Sequence, residues 1–187
     1  DTVDVPSGAT LDVTGATVTG LSAGKVLQVV TSSYKTFETT QGAGYADTNW
    51  VDLGINASIT PTATNSKIMV SFYVAAGCSY QCPTIFFGIK RGSTLINIGN
   101  QWTTTNSTPN RVQTGRAFAA TSSQLADVNI VAVDEPSTTS ATTYTLSMIC
   151  DSSHYIDINI CGQSVHYTPA VQYPSGASTI TLMEIAG

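Results

Sequence analysis

Alternation of apolar and polar side chains with a period of two runs through most of this 187-residue chain. Such spacing places successive side chains on opposite faces of a β-sheet. The clearest runs cover residues 51–59, 68–74 and 85–89. No window of useful length carries the period of an α-helix, so we predict an all-β chain.

Further strands are predicted in the second half of the sequence, between loops rich in Gly, Pro, Asn, Ser and Thr. They cover residues 95–98, 116–120, 128–133, 143–150, 156–160 and 179–185. The last of them loses its alternation at Leu182 and Met183, which suggests a β-bulge. About eight to ten short strands of this kind favour an antiparallel β-sandwich or jelly roll.

Residues 1–24 have a different pattern, in which an approximate unit of seven residues, 8–14, is followed by a similar unit, 15–21. Each unit predicts a short strand ended by Gly, but its narrow apolar stripe needs a partner surface from elsewhere. We interpret 1–24 as a short β-rich trimerising stalk and 25–187 as a β-sandwich head. The alternative is a flexible leader. Without an initiating Met or a signal-peptide pattern, we expect a fragment or a processed product.

Some strands are apolar on both faces. Met69 and Tyr73 alternate with Phe72, and Phe86 adjoins Phe87. More surface therefore requires burial than one sandwich core provides, and an oligomer interface would bury it.

The charge balance excludes several functions. The chain has 7 Lys and Arg against 12 Asp and Glu, a net charge of −5, and only 10% charged residues. Without a basic stripe, we expect neither nucleic-acid binding nor attachment to anionic membranes. The longest apolar run, 68–76, is about half of the roughly 20 residues that a membrane-spanning helix needs, so no membrane insertion is expected.

Seven motifs occur in an order that resembles a known module. They are GKVLQVV at 24–30, WVDL at 50–53, SITP at 58–61, SKIMV at 66–70, RGST at 91–94, DEPSTTSATTY at 134–144 and STITLMEI at 178–185. This set resembles the C-terminal module of tail fibre and related virion proteins of tailed bacteriophages, many of them marine. Residues 1–24 are similar to the stalk that commonly precedes it.

The resemblance implies a non-enzymatic structural protein of the virion, trimeric, whose distal head touches the host surface. Its partners would be two further copies, other virion proteins and a host cell-surface polysaccharide. The shared motifs are scaffold, so they carry over no receptor-binding residue. Two alternatives stay open: a capsid decoration or head fibre protein without a specific ligand, and a bacterial surface adhesin or filament subunit that donates a strand to the next copy.

Four cysteines depart from the pattern of the module. The simplest pairing joins Cys78 to Cys82 and Cys150 to Cys161, which would lock two loops. Free buried thiols are an alternative, since phage particles assemble in a reducing cytosol. A four-thiolate zinc site is the third possibility.

No set of residues predicts catalysis or a cofactor. The two histidines form no metal-binding motif, and Ser164 lacks the Gly-x-Ser-x-Gly elbow of a hydrolase. Asp134 and Glu135 could be imagined as a glycosidase pair, but adjacent strand residues point to opposite faces. We therefore expect no enzymatic activity, no metal and no cofactor.

Aromatic residues in polar loops are the better candidates for ligand binding, since an exposed ring suits the apolar face of a sugar. Trp102 lies among Thr, Asn and Gln residues, and Tyr80 lies between the two loop cysteines. Tyr45 and the neighbouring His154 and Tyr155 are further candidates. The alternative for each is burial in the core or a subunit contact. Trp50, at the head of a strand, is interpreted as structural.

Overall fold

The computed structural model describes residues 24–44, 49–78, 85–96, 125–150, 152–160 and 175–187, and these ranges contain ten β-strands and no helix. The strands are β1 (Val26–Tyr34), β2 (Glu38–Gln41), β3 (Val51–Ile59), β4 (Lys67–Cys78), β5 (Phe86–Arg91), β6 (Thr94–Ile96), β7 (Ala126–Asp134), β8 (Thr142–Ile149), β9 (Tyr155–Ile158) and β10 (Ser178–Ile185). They form two antiparallel sheets packed as a sandwich, which confirms the predicted fold class.

β4 is the centre of the larger sheet, because both of its edges are paired. One edge pairs with β7, from Ile68 opposite Asp134 to Ala76 opposite Ala126. The other edge pairs first with β10 and then with β9. β1 lies beside β10, and β2 lies beside β9. The larger sheet thus has six strands. β10 and β1 flank the first part of β4, β9 and β2 flank its last part, and β7 lies on the opposite edge.

The smaller sheet has the order β3-β8-β5-β6. The register between β3 and β8 shifts between Asp52 and Asn56, and Gly54 at this point has a φ of 71°. Left-handed backbone conformation is readily accessible to glycine and costly for other residues, so the bulge explains why a glycine interrupts this strand.

The core consists of the inward-facing residues of both sheets, which follow the predicted period of two. Burial of each large apolar side chain contributes about 1.5 to 3 kcal/mol relative to leaving it exposed. The largest fully buried side chains are Tyr144, Phe72, Phe87, Ile55, Ile59, Ile68, Ile85, Ile89, Leu146, Met148, Ile156 and Ile158.

The bulge predicted in the last strand is wrong. β10 pairs with β4 residue for residue, from Thr179 opposite Tyr73 to Ile185 opposite Lys67. Leu182 is buried in the core, whereas Met183 is half-buried on the other face. Two adjacent apolar residues therefore reflect a sheet that is apolar on both sides. The irregularity lies on the neighbouring strand β1, whose register shifts between Val26 and Gln28.

The sequence pattern did not predict β2. Its four residues, ETTQ, carry no apolar side chain, and pairing with β9 holds them in the sheet. The strand predicted at 116–120 and most of the predicted stalk, 1–23, lie outside the described residues. The division into stalk and head therefore stays a prediction.

The sandwich has two ends, which we name by their residues. At the Gly24 end, the Gly24 amide donates to the Ala186 carbonyl at 3.0 Å, and the segment 1–23 joins the sandwich there. At the opposite end, the loop end, the Gly44 amide donates to the Cys150 carbonyl at 3.0 Å and so links the two sheets. The strand termini that meet at the loop end are Gln41, Val51, Cys78, Phe86, Ala126, Ile149 and Tyr155.

Candidate functional site

The loop end contains the two predicted ligand-binding residues that the structure describes. His154 and Tyr155 are half-buried, and Tyr155 begins β9 opposite Gln41. The Gly42 amide donates to the His154 carbonyl at 2.9 Å, and Ser153 Oγ lies 3.0 Å from His154 Nδ1. This backbone contact joins the start of β9 to the end of β2, where both rings lie.

The other three predicted ligand-binding residues, Trp102, Tyr80 and Tyr45, lie outside the described residues. For Tyr45 and Tyr80, nearby preceding residues are described, and these lie at the loop end. Gly44 immediately precedes Tyr45 and bonds to the end of β8. Cys78, two residues before Tyr80, ends β4 opposite Ile156. The described chain thus reaches the loop end just before each of these tyrosines, and the positions of Tyr45, Tyr80 and Trp102 themselves stay predictions.

The cysteine pairing also stays a prediction. Cys150 follows β8 and is buried, with its Sγ 3.9 Å from the His154 carbonyl oxygen. Cys82, Cys161 and the side chain of Cys78 lie outside the described residues. In the part of the chain that the structure describes, no group of three or more His, Cys, Asp or Glu residues is placed to hold a metal ion.

Trp50 packs against the smaller sheet, as its position at the head of a strand predicts. A Cβ added to Gly88 of β5 would lie 2.6 Å from Trp50 Cζ3, so only a glycine lets the indole approach this closely. Beside it, Lys90 Nζ donates to Asp52 Oδ1 at 2.5 Å, and Ser147 Oγ donates to the same oxygen at 2.6 Å. Burial would raise the pKa of Asp52, but these two hydrogen bonds lower it.

Asp134 and Glu135, considered as a glycosidase pair, point in different directions. Arg91 Nη1 donates to both carboxylate oxygens of Asp134, at 3.0 and 2.9 Å, and the buried Tyr144 hydroxyl donates to Oδ2 at 2.7 Å. Burial and this hydrogen bond raise the pKa of Tyr144 strongly. Glu135 is exposed and pairs with Lys67 at 3.0 Å. Asp134 thus joins the two sheets and does not face a shared substrate site with Glu135.

Substitution of the two acids tests this difference. We expect Asp134→Asn to lower the free energy of unfolding by about 2 kcal/mol, since a partly buried guanidinium and a buried hydroxyl lose an anionic acceptor. Glu135→Gln removes only an exposed ion pair, so it should cost less than about 0.5 kcal/mol. Urea unfolding of both variants measures the difference. Equal effects would contradict the structural role of Asp134.

The outer face of the larger sheet carries a row of apolar side chains from one edge to the other. Val29 lies opposite Met183, Met183 opposite Met69, and Met69 opposite Val133. Val29 and Val133 are 52% and 57% exposed, and the two methionines are half-buried. We call these four residues the apolar row. Met69 and the buried Phe72 lie on opposite faces of β4, as their alternation predicts.

Two further rows, with more polar side chains than the apolar row, follow on the same face toward the loop end. The first consists of Thr31, Thr181, Ser71 and Val131, and the second of Ser33, Thr179, Tyr73 and Asn129. Tyr73 Oη donates to Asp127 Oδ1 at 2.5 Å, a hydrogen bond that raises the pKa of Tyr73. No side chain in the three rows is formally charged, and the charged groups of this face, Asp127 on one side of the rows and Lys67 and Glu135 on the other, lie outside them.

Among the buried polar side chains, two with many hydrogen bonds were not predicted as functional residues. Asn159 is fully buried just after β9, and Glu184 is fully buried within β10. Their hydrogen bonds all go to protein groups from distant parts of the sequence. They hold the sandwich together and offer no open site for a ligand.

None of the described residues forms a helix long and apolar enough to cross a membrane. No protein-family model matches the sequence, and no curated protein is significantly similar to it.

Solved structures of infectious bursal disease virus are similar to this chain. A structure of the Gt strain gives a TM-score of 0.41 at 13% identity, covering 97% of this chain and 47% of that chain. A structure of the Gx strain gives 0.38 at 15% identity, covering 97% and 45%. The VP2 subviral particle gives 0.35 at 16% identity, covering 97% and 46%. This chain spans less than half the length of the chains it matches, and similarity at this level assigns neither a family nor a function.

Proposed function

We propose that this chain is a non-enzymatic structural protein of a virion, the trimeric head of a tail fibre that attaches the particle to a host surface glycan. One observation supports this proposal above the others. The segment 1–23 joins the sandwich at the Gly24 end, whereas His154, Tyr155 and the strand ends that lead to Tyr45 and Tyr80 lie at the loop end. A head of this kind holds its stalk at one end and presents its loops at the other.

The chemistry of the chain favours a neutral glycan over an ionic ligand. With a net charge of −5 and few charged residues, the chain gains little from long-range attraction to anionic lipopolysaccharide. Affinity must then come from stacking of aromatic rings and from short hydrogen bonds. Such contacts are weak for one head, and three heads on each fibre would raise the effective affinity.

Four of the described acidic residues have structural partners. Asp134 and Glu184 are buried and hydrogen-bonded to neighbouring groups, while Asp52 and Glu135 are paired with lysines.

Substitution of Trp102 tests the proposed attachment. We expect Trp102→Ala to weaken binding to host cells, or to arrayed bacterial capsular and O-antigen polysaccharides, roughly 5- to 150-fold, which corresponds to about 1 to 3 kcal/mol for an anchor residue. Tyr80→Ala should have a similar, smaller effect. Phe37→Ala is the matched control, because Phe37 is an exposed aromatic residue between β1 and β2, four residues before Gln41 at the loop end.

Two results would contradict glycan attachment. One is unchanged adsorption of the Trp102→Ala chain, and the other is adsorption that collapses between low and moderate salt. Parent protein that binds no host cell and no polysaccharide, but assembles with purified capsids, would favour the alternative role of a capsid decoration protein.

A further inference from the structure

The position of the apolar row along the strands indicates what covers it. Counted from the Gly24 end, the apolar row comes first, the row with three hydroxyl side chains second, and the Tyr73 row last. Val26 and Leu27, which are 45% and 40% exposed, extend the apolar surface further toward Gly24. Of the seven exposed large apolar side chains among the described residues, four therefore lie in the apolar row or between it and Gly24: Val26, Leu27, Val29 and Val133.

The apolar row lies only a short length of chain from Gly24. Val29 is five residues after Gly24, which is at most about 17 Å of extended chain. Copies that associate through residues 1–23 would therefore bring their apolar rows close together. The second association step is then effectively intramolecular, and a modest apolar contact is enough to complete it.

Charge also favours a second copy as the partner. Each copy carries a net charge of −5, so two copies repel one another unless they meet through a neutral surface. The three rows of this face are neutral, and Lys67 and Glu135 at its border pair with each other at 3.0 Å. Burying the apolar row therefore removes no unpaired charge from water, and the other carboxylate of this face, Asp127, lies beyond the Tyr73 row.

We propose that the apolar row, at the Gly24 end of the outer face of the larger sheet, is the contact between copies of this chain. The inference rests on the proposed function in one respect, the association of copies through residues 1–23. In a trimer, the three faces turn toward a common axis that continues the stalk. Met69 and Met183 occupy the middle of each face, and their flexible thioether side chains can fill an interface of this kind.

Two matched pairs of variants in the full chain test the contact. Val29→Lys places a charge in the apolar row, and Ser33→Lys places the same charge on the same strand and face, two rows closer to the loop end. Val133→Lys and Asn129→Lys repeat this comparison on β7 at the opposite edge. All four positions are exposed, so each lysine is compatible with the fold, as circular dichroism and thermal unfolding would show.

Sedimentation and light scattering give the first measurement. We expect the parent chain, Ser33→Lys and Asn129→Lys to be trimers at micromolar concentration. Val29→Lys and Val133→Lys should weaken assembly at least tenfold, because a lysine ammonium would have to be buried in an apolar contact.

Oxidation by hydrogen peroxide gives the second measurement and reports on the face directly. The chain has three methionines, and Met148 is fully buried in the core, so it is an internal reference. Met69 and Met183 should be protected in the assembled parent and should oxidise at least five times faster on dilution to monomers. In Val29→Lys they should oxidise fast at every concentration.

Each outcome bears on the contact separately from glycan attachment. Fast oxidation of Met69 and Met183 in an assembled parent would overturn the inference, because residues 1–23 alone would then hold the copies. A monomeric parent would also overturn it; slow oxidation in that monomer would show that residues 1–23 cover their own sandwich. A dimer with protected methionines would support the contact and contradict the trimer. Polysaccharide binding, measured on the same samples, decides the proposed function independently.

Discussion

The Asn159→Ala variant is expected to lose about 3 to 4 kcal/mol of its free energy of unfolding. Asn159 Nδ2 donates to the carbonyls of Tyr34 at 3.0 Å and Thr36 at 2.9 Å, and its Oδ1 accepts from Ser178 Oγ at 2.7 Å. The Ser178 hydroxyl oxygen in turn accepts from the Ala75 amide at 3.1 Å. Alanine would remove all three side-chain hydrogen bonds and leave the buried Ser178 hydroxyl without its acceptor.

The backbone at this position adds to the loss. Asn159 has a φ of 64°, a conformation that asparagine tolerates and alanine does not. The Asn159 amide donates to the Ala75 carbonyl at 2.8 Å, and its carbonyl accepts from the Gly176 amide at 2.9 Å. Through one residue, the junction of β1 and β2 is therefore tied to β4 and to the start of β10.

Two further variants separate the contributions in guanidinium unfolding. Asn159→Gly keeps the left-handed backbone and loses only the side-chain bonds, so it should be more stable than Asn159→Ala by about 1 kcal/mol. Asn129→Ala, on the exposed face of β7, should change the free energy by less than about 0.5 kcal/mol. If Asn159→Ala were as stable as Asn129→Ala, the junction would not depend on this side chain.

The fold class was predictable because alternation records which side of a strand is buried. Spacing alone placed Phe72 on one face of its strand and Met69 and Tyr73 on the other, and in the structure Phe72 is the buried one. Where the rule failed, both faces were apolar: Met183 beside Leu182 was interpreted as a bulge because the pattern assumes a polar outer face. The sheet order and the second strand, β2, depend on pairings between distant residues that periodicity does not contain.

The buried polar groups show where sequence reasoning ends. Glu184 has the same parity as Ile180 and Leu182, so strict alternation places its carboxylate inside. A charged residue at an inward position was the signal in the sequence that Glu184 is buried among hydrogen-bond donors. Those donors lie 118 to 156 residues away in the sequence, so the pattern could not identify them. The candidate ligand-binding residues have a different difficulty. Trp102, Tyr80 and Tyr45 are predicted to lie in loops, whose side chains follow no period, so composition alone suggested them.

Glu184 is expected to make the folded chain sensitive to acid. Its carboxylate accepts from Ser66 Oγ at 2.6 Å, from Thr62 N and Oγ1 at 2.7 Å each, and from Gln28 Nε2 at 2.6 Å. Burial would raise the pKa of this carboxyl group, but the hydrogen bonds from Ser66, Thr62 and Gln28 outweigh it. Together they lower the pKa from an ordinary value of 4.5 to about 2.

The direction of the pH dependence follows from that shift. Because the pKa is lower in the folded state, the carboxylate stabilises the fold fully above about pH 4.5, and this contribution is lost as the pH falls toward 2. Protonation there removes the anionic acceptor that joins the β3–β4 connection to β10. We expect the loss across this window to reach about 2 to 3 kcal/mol.

The Glu184→Gln variant isolates this contribution from those of the other acidic groups. At pH 7 it should be less stable than the parent by about 2 kcal/mol, since a neutral amide is a weaker acceptor and turns its own N–H toward Gln28. Between pH 5 and 2 its free energy of unfolding, measured in urea, should fall less steeply than that of the parent, so the two curves converge in acid. Glu135→Gln, which alters an exposed carboxylate paired only with Lys67, should follow the parent curve. Parallel curves for the parent and Glu184→Gln would mean that the carboxylate of Glu184 titrates alike in the folded and unfolded chains, and that its four hydrogen bonds do not stabilise the anion.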